Sequence, residues 1–431
     1  MSPKSETHEP SSGFTISRRG LLGLAGAGLA GMGIGIAGDE AVRALTTPAS
    51  PGALRYDFYG KHQAGVTTPA QDRLHFAAFD VAPGMTRGDL IELLQDWTVA
   101  AAAMTQGKEI GEFGAGVNNY DSPPEDTGEA VGLATSGLTI TFGFGPTLFV
   151  SETGEDRFGI ASRQPAELKK LPHFPADDLN QAMSNGDICI QACANDPQVA
   201  VHAVRNLTRI AFGRAVLKWS QLGYGRTSST STAQKTERNL FGFKDGTNNI
   251  KSEDSAAVNK SVWINHSLST PWLDGGTYLI ARRIQMTLET WDRASLREQE
   301  TVFGRTKNEG APLSGGNEFT PADFSATNDQ DELLIDPTSH MALAAPANNN
   351  GNALLRRGYN FIDGNDELGR LNAGLFFISF QKDPQQFITV QKNLAKNDRM
   401  NEYVKHVGSG LWAIPPGIQQ GSFIGASLFL A

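Results

Sequence analysis

The segment Phe241–Thr247 (FGFKDGT) contains a carboxylate whose setting could support chemistry. Asp245 has a glycine on either side, Gly242 and Gly246, and glycines let the backbone approach a ligand closely. A carboxylate held beside a bound substrate can accept a proton and return it. Taken alone, an Asp-Gly pair is also typical of an ordinary turn. This segment by itself therefore leaves both interpretations open.

Two further segments contribute an imidazole and two guanidinium groups. His340 lies in the segment SHM, and Arg356 and Arg357 lie in the segment LLRRGY. Neutral imidazole is a common metal ligand, and a fixed guanidinium stabilises negative charge that develops during a reaction. A lone histidine before an apolar run is more often structural, and adjacent arginines are usually solvated. Neither segment assigns a function without the other.

The sequence lacks the motifs of several common enzyme classes. It has no glycine-rich phosphate loop, no His-Glu-x-x-His helix, no Gly-x-Ser-x-Gly elbow and no Cys-x-x-Cys-His attachment site for c-type haem. No two of its eight histidines have metal-pair spacing on one predicted element, which disfavours a multi-histidine metal site. A single histidine could still bind haem iron, because the macrocycle supplies the in-plane ligands.

The two cysteines, Cys189 and Cys193, lie on one predicted strand. Their Cα atoms would be roughly 13 Å apart there, whereas a disulfide requires less than about 7 Å. We therefore expect two reduced thiols in the core, with a metal site as the less favoured alternative.

Composition excludes further classes of protein. The chain has 431 residues, of which 39% are hydrophobic and 19% charged, so it can bury a sizeable core and is not a disordered chain. Its formal net charge of -9 provides no global attraction to nucleic acid or to an anionic membrane. We expect no nucleic-acid partner.

Residues 1–44 are predicted to be an export signal rather than part of the fold. Polar residues precede Arg18 and Arg19, and a weakly hydrophobic, glycine-rich stretch follows from Leu21 to Ala37. This order is typical of a twin-arginine signal, with cleavage expected after Ala44 and a permanent membrane anchor as the alternative. The route exports proteins already folded, often with a cofactor inserted. We expect a periplasmic, extracellular or cell-envelope location.

Hydrophobic periodicity and turn signals predict alternating strands and helices in the rest of the chain. Predicted strands cover residues 73–81, 138–144, 187–193, 278–286 and 374–380. Predicted helices cover residues 86–104, 196–212 and 288–301, and another begins at residue 383. We expect the irregular segment 344–353 to form part of the wall of any site beside it.

The two halves of the chain repeat one plan. Asp196-Pro197-Gln198 and Asp383-Pro384-Gln385 both begin a predicted helix, and a basic-Asn-Leu triplet follows at the same spacing in each. Shared helix-start chemistry explains Asp-Pro alone but not the matched triplets, so we favour duplication of an α+β unit. The predicted domains are 45–222 and 237–431, joined by a Ser/Thr/Gly-rich linker at 223–236.

Together, these segments resemble the dye-decolourising (DyP-type) haem peroxidases. The resemblance is closest to the exported branch that includes the iron-uptake-linked deferrochelatase/peroxidases. The matching stretches, which span about residues 55 to 425, are FYGKHQAGV at 58–66, CIQAC at 189–193, Gly242-x-x-Asp245-Gly246, His340 and RRGY at 356–359.

The resemblance implies an α+β fold of tandem duplicated ferredoxin-like domains that enclose a non-covalent haem b. It implies that His340 is the proximal iron ligand, Asp245 the distal acid and Arg356 the distal arginine, with Arg357 a weaker match. Gly242, Gly246 and Arg357 would also contact the cofactor. One departure is Ala342, which stands where family members often have an arginine.

The resemblance further implies an exported peroxidase that reduces hydrogen peroxide and oxidises phenolic or dye-like small molecules by one-electron steps. Tyr359 is a possible electron relay, although a packed tyrosine is the favoured interpretation. The main alternative is a haem-handling deferrochelatase that releases iron and leaves the porphyrin intact. A third is a cofactor-free binding module. Iron-uptake components and a second copy of the chain are possible partners.

Overall fold

Nine β-strands form one antiparallel sheet that closes on itself. The computed structural model describes residues 54–116 and 119–430, so the predicted export signal lies outside the described residues. The strands are β1 (Arg73–Val81), β2 (Thr139–Phe144), β3 (Ile188–Ala194), β4 (Ala215–Arg226), β5 (Thr277–Met286), β6 (Leu355–Arg356), β7 (Tyr359–Asn365), β8 (Leu371–Gln381) and β9 (Val404–Ile414). Their order is β5-β9-β2-β3-β1-β4-β7-β8-β6, and pairing of β5 with β8 completes the barrel-like sheet.

Each half of the chain contributes four neighbouring strands in the same relative order. The order in the first half is β2-β3-β1-β4, and the corresponding order in the second half is β7-β8-β5-β9. The edge strands of the two halves meet at two short seams: Phe144 of β2 pairs with Ala413 of β9, and Tyr224 of β4 pairs with Asn360 of β7. Sheet closure therefore pairs strand edges that would otherwise be open.

Nine α-helical segments cover parts of this sheet within the described residues. They are α1 (Arg87–Thr105), α2 (Pro146–Phe149), α3 (Pro197–Ile210), α4 (Ser255–Ser261), α5 (Leu288–Trp291), α6 (Leu296–Phe303), α7 (His340–Ala344), α8 (Pro384–Asn397) and α9 (Ala426–Phe429). The side chains of Asp196 and Asp383 cap α3 and α8 by accepting backbone N–H groups, which confirms both predicted Asp-Pro helix starts. No helix in the described ranges is long and apolar enough to cross a membrane.

Strand alternation separates the core into an interior and an outer layer. In β1, Phe76 and Ala78 face the sheet interior, where Phe76 contacts the rings of Trp219, Phe376 and Trp412. Ala77 and Phe79 belong to the outer cluster, which also contains the buried faces of α1 and α3. Both faces of the sheet are therefore packed, because successive side chains of a strand point to opposite sides.

Cys189 and Cys193 are free thiols in the interior cluster, which confirms the predicted reduced core residues. Burial raises the pKa of the Cys189 thiol well above its usual value. Both cysteines are therefore packing residues.

Two sequence predictions differ from the structure. The helix expected over 288–301 is divided into α5 and α6, because Ser295 accepts the N–H of Glu298 and starts a new helix. The segment expected as a linker begins inside β4, and residues 227–231 are buried. Their hydroxyl groups make burial possible, since Thr230, for example, donates to the carbonyl of Thr68 at 2.7 Å.

A buried ion pair between Arg282 and Asp177 joins β5 to the loop before β3. The exposed fractions of their side chains are 1% and 0%. Arg282 also donates to the hydroxyl of Ser409 in β9 at 3.0 Å. The pair thus links three parts of the chain.

Replacing Asp177 with alanine would leave the Arg282 charge buried without its partner. We expect Asp177→Ala to lower the free energy of unfolding by about 3–5 kcal/mol, measured by urea denaturation. The adjacent Asp178 forms an exposed ion pair with Lys405, so Asp178→Ala is the matched control, with an expected change of at most about 1 kcal/mol. Equal losses in the two variants would contradict this account.

Candidate functional site

A cavity of about 640 Å³ lies against the outer face of the second-half strands. Helices α7 and α8 and the segment 318–324 form its other walls. Much of the lining is apolar and includes Phe241, Ile284, Met286, Phe303, Leu375, Phe377, Phe387, Val390 and Leu394. This volume and lining match those of pockets that bury a small organic ligand. The predicted wall segment at 344–353 contributes Ala344–Ala347, Asn352 and Ala353, which confirms that expectation.

His340, the first residue of α7, projects its ring into this cavity. Its Nδ1 lies 2.7 Å from Oδ2 of Asp398. Because a carboxylate accepts hydrogen bonds, Nδ1 carries the single proton of the neutral ring, and Nε2 of that form keeps its lone pair. No hydrogen bond to Nε2 occurs within the described residues, and the side chain is 38% exposed. The imidazole is therefore held by one nitrogen and free to bind a ligand with the other.

The carboxylate of Asp398 also sets the electrostatics of His340. Desolvation by burial lowers the pKa of His340, but attraction and the hydrogen bond from Asp398 outweigh it, so the net pKa is raised. Asp398 lies between α8 and a 3-10 turn, where its other oxygen accepts the N–H of Met400 at 2.9 Å. Its partner is 58 positions away in the sequence. Sequence reasoning missed this residue because no local pattern connects the two.

Asp245 and Arg356 form an ion pair in the same cavity. Nη1 of Arg356 lies 2.6 Å from Oδ1 of Asp245, and both residues line the cavity. Asn249 holds the backbone of Arg356 on both sides, because its Oδ1 accepts the N–H and its Nδ2 donates to the carbonyl. The structure therefore brings together three predicted residues, Asp245, Arg356 and His340. It also adds Asn249, which sequence reasoning missed.

The two glycines beside Asp245 occupy different positions. Gly246 lines the cavity with φ +87°, and a Cβ there would lie 2.9 Å from the Cα of Ser228. Gly242 has φ +81° and packs against the side chain of Lys307, outside the cavity lining. Gly242 thus forms the preceding turn, in which its N–H donates to the carbonyl of Asn239. The contact of Gly242 with a cofactor stays a prediction, and Gly242 is not among the residues that line the cavity.

Arg357 lies on the opposite side of β6 from Arg356, inside the closed sheet. Its guanidinium is fully buried and donates to the Thr68 carbonyl and to Oε1 of Gln71. Arg357 is therefore not among the residues that line the cavity with Arg356, because adjacent residues of an extended chain face opposite sides. Tyr359 is likewise fully buried in the interior cluster. This position favours the packed interpretation of Tyr359 over an electron relay.

A second polar cluster lines the cavity near Asp245. Lys244 forms an ion pair with Glu318, and the Thr247 hydroxyl donates to the same carboxylate at 3.2 Å. Arg305 donates to the backbone carbonyl of Glu318 at 3.0 Å. Glu318 lies in a segment without helix or strand. Sequence periodicity gives no signal for such a segment, so sequence reasoning also missed the ion pair between Glu318 and Lys244.

His406 and Arg282 line the cavity from strands β9 and β5. Burial lowers the pKa of His406 to about 3, and the charges of Arg282 and His340 add to this shift. His406 is therefore a neutral imidazole in the cavity wall.

The arrangement fits one kind of metal chemistry. No group of three His, Cys, Asp or Glu residues within the described ranges could hold a metal ion. His340 provides a single nitrogen ligand, so any iron it binds needs further ligands from a macrocycle such as haem. Asp245 and Arg356 then offer proton transfer and charge stabilisation in the same cavity.

Comparison with known proteins identifies the family. The family models for the N-terminal and C-terminal parts of Dyp-type peroxidases match residues 63–225 and 236–419. Proteins named deferrochelatase from Shigella boydii serotype 4 and from Escherichia coli K12 are 36% identical over 427 residues, which cover 96% of each chain.

Solved structures show the same relationship. Ferric DtpA from Streptomyces lividans is 36% identical with a TM-score of 0.80, over 89% of this chain and 100% of that one. A DyP-type peroxidase from Streptomyces coelicolor is 36% identical with a TM-score of 0.81, over 90% of this chain and 100% of that one. DypB from Rhodococcus jostii, in complex with heme, shares the fold at 19% identity, with a TM-score of 0.59 over 85% of this chain and 97% of that one. We conclude that the chain belongs to the DyP-type peroxidase family and is a peroxidase with haem b as its cofactor.

Proposed function

We propose that His340 ligates the haem iron and that Asp245 and Arg356 activate hydrogen peroxide in the same cavity. One observation carries this assignment: a single cavity contains an imidazole with a free Nε2 and a carboxylate–guanidinium pair. The lining also fits haem b, because the apolar side chains match a porphyrin and the imidazole matches its iron. When bound, the haem supplies the iron that takes up peroxide and accepts its oxidising equivalents.

Asp245 provides the proton transfer that splitting the O–O bond requires. In this proposal, its carboxylate accepts the proton of the near peroxide oxygen and returns it to the far oxygen, which leaves as water. The turn at Gly246 and the bond from Arg356 hold the carboxylate at the cavity wall. No other carboxylate is needed for this step.

Arg356 stabilises the negative charge that develops on the leaving oxygen. Its guanidinium stays charged and can donate to both Asp245 and an oxygen atom in the cavity. The two hydrogen bonds between the Asn249 side chain and the Arg356 backbone fix that backbone before substrate binds. Such preorganised donors lower the barrier more than mobile ones do.

Asp398 keeps His340 in the tautomer that can bind iron. Its carboxylate also raises the basicity of the ring, which strengthens electron donation to the metal. His340 and Asp398 therefore act as one unit.

The one-electron reductants in this proposal are phenolic or dye-like small molecules.

Iron release from haem is the second function that we consider. It is favoured by the printed name of the curated relatives, deferrochelatase. Three carboxylates line the described part of the cavity, and each has a partner: Asp245 pairs with Arg356, Glu318 with Lys244 and Asp398 with His340. A released iron ion would have to displace one of these partners. The paired carboxylates therefore favour peroxide chemistry.

The fold and its organisation are also part of the proposal. The matching strand orders of the two halves support tandem ferredoxin-like domains, at 45–222 and 237–431, derived by duplication. The cavity against the second half supports enclosure of haem chiefly by the C-terminal domain. The proposal also includes export by the twin-arginine route to the periplasm or cell exterior. It further includes association with iron-uptake components and self-association.

An absorbance spectrum of the purified protein tests the proposed function directly. We expect a ferric-haem Soret band that shifts within milliseconds after an equimolar addition of hydrogen peroxide. A Soret band that does not respond, together with free porphyrin after incubation with haem, would support iron release instead. Absence of a Soret band after reconstitution would rule out both functions.

Variants of the two distal residues separate proton transfer from haem binding. We expect Asp245→Ala to slow peroxide activation by about 10²–10⁴-fold and Arg356→Ala to slow it by about 10²–10³-fold, while both still bind haem. Stopped-flow absorbance provides the rates. His340→Ala should instead weaken or abolish haem binding. Normal peroxide turnover in all three variants would refute the assignment.

Removing the partner of His340 tests the proximal unit. We expect Asp398→Asn to weaken haem binding by about 10–100-fold, because the amide cannot accept the Nδ1 proton through its nitrogen or supply negative charge. Titration of the haem-free protein with hemin measures the affinity. Asp366 is a partly exposed carboxylate that pairs with Arg370 and does not line the cavity, so Asp366→Asn is the control. Equal affinity in both variants would show that Asp398 has no such role.

A further inference from the structure

Thioether side chains are concentrated in the wall of the cavity. The chain has eight methionines, and all but Met1 and Met32 lie within the described ranges. Of these, Met286, Met341 and Met400 line the cavity. A thioether takes up one oxygen atom from an oxidant and becomes a sulfoxide, which turns a flexible apolar side chain into a polar one. Oxidisable sulfur therefore lies where peroxide is proposed to react.

Exposure distinguishes Met341 from the other two cavity methionines. Met286 and Met400 are buried, with exposed fractions of 4% and 6%. Met341 is only half-buried. Because oxidation requires that the oxidant reach the sulfur, Met341 is the cavity thioether that is open to attack.

A buried hydroxyl group without a partner lies beside the end of the Met341 side chain. Ser339 is fully buried, and its Oγ makes no hydrogen bond within the part of the chain that the structure describes. A Cβ at Gly304 would lie 2.8 Å from Oγ of Ser339 and 3.3 Å from Cε of Met341. The hydroxyl and the thioether therefore share one neighbourhood at the end of α6.

The thioether cannot satisfy this hydroxyl well, because its sulfur is only a weak hydrogen-bond acceptor. Most buried polar groups have a partner, so a buried hydroxyl without one requires an explanation. A sulfoxide oxygen on Met341 is a polar acceptor that Ser339 can donate to. The site is thus better matched to the oxidised form of Met341 than to the reduced form.

From these observations we infer that Met341 is a modification site, at which peroxide converts the thioether to a sulfoxide that Ser339 then binds. The inference rests on the proposed function, which supplies activated peroxide in this cavity. It gives the protein an outlet for oxidising equivalents when no reductant is present.

The modification balances with one molecule of hydrogen peroxide. The sulfur of Met341 forms a bond to one peroxide oxygen, and the O–O bond breaks. The proton of the transferred oxygen moves to the leaving oxygen, which departs as water. The sulfur is oxidised by two electrons and the peroxide is reduced by two, so no further reductant is required. Asp245 is placed to move that proton, as in the proposed reaction.

Ser339 determines what the modification does to haem binding. A polar group buried without a hydrogen bond destabilises the surrounding structure, and an unpaired sulfoxide next to His340 would disturb the proximal wall. A hydrogen bond from Ser339 offsets that cost. Haem therefore stays bound after Met341 is oxidised, and a methionine sulfoxide reductase can restore the thioether.

Peptide mass mapping of the haem-loaded protein tests the modification site directly. Hydrogen peroxide is added in equimolar steps without reductant, and the gain of one oxygen atom is followed at each methionine. Met85 and Met183 are internal controls, because they are also half-buried but do not line the cavity. We expect Met341 to be oxidised well before both of them. In the haem-free protein, and in haem-loaded Asp245→Ala, this lead should be lost.

Oxidation of Met341 no faster than that of Met85, in a wild-type protein whose Soret band responds to peroxide, would overturn the inference. An equal lead of Met341 in the haem-free protein would overturn it as well. A wild-type Soret band that does not respond to peroxide would instead refute the proposed function.

Two variants test the consequences of the modification. Met341→Leu nearly conserves side-chain volume, and we expect it to lose haem absorbance after fewer additions of peroxide than the wild type, with Met85→Leu as the unchanged control. Ser339→Ala should still be oxidised at Met341 but should then release haem faster, measured by transfer to apomyoglobin. Unchanged peroxide tolerance in Met341→Leu would contradict the outlet. Equal haem transfer from oxidised Ser339→Ala and oxidised wild type would contradict the role of Ser339.

Discussion

Closure of the sheet fixes an inside and an outside for every strand, and the position of the site depends on that division. Pairing of β8 with β5 along Gly374–Gln381 completes the closed sheet, and β6 pairs with the end of β8 through Arg356 and Ser379. Residues that face outward from these strands, including Arg356 and Phe377, line the cavity, while Arg357 and Phe376 face the interior. A shift of β6 by one residue would exchange the two arginines and dismantle the pair with Asp245.

Much of the local structure could be predicted from the sequence because it depends on local physics. The span of β1 and the starts of α3 and α8 follow from hydrophobic periodicity and Asp-Pro capping, which act over a few residues. The site residues Asp245, His340 and Arg356 came from a family resemblance, and the structure brings them into one cavity.

The remaining features depend on contacts between distant segments. Asp398 reaches His340 only because the end of α8 packs beside α7, and Glu318 reaches Lys244 from a segment without regular structure. Arg357 was expected at the cavity because the sequence gives two adjacent arginines but not which one faces outward. The prediction of a linker at 223–236 was wrong for a related reason. Ser and Thr are typical of exposed loops, but their hydroxyl groups can also donate to buried backbone carbonyls.

The distribution of polarity in the cavity separates the two substrates of a peroxidase. Charged groups are concentrated around Asp245, Arg356 and Glu318, where a small, polar peroxide can be bound and protonated. The wall formed by Phe241 and Phe303 has no hydrogen-bonding side chain to recognise a large polar reductant. Trp291 packs against both rings from the side away from the cavity, so this wall suits contact with an apolar ligand and not with a polar substrate.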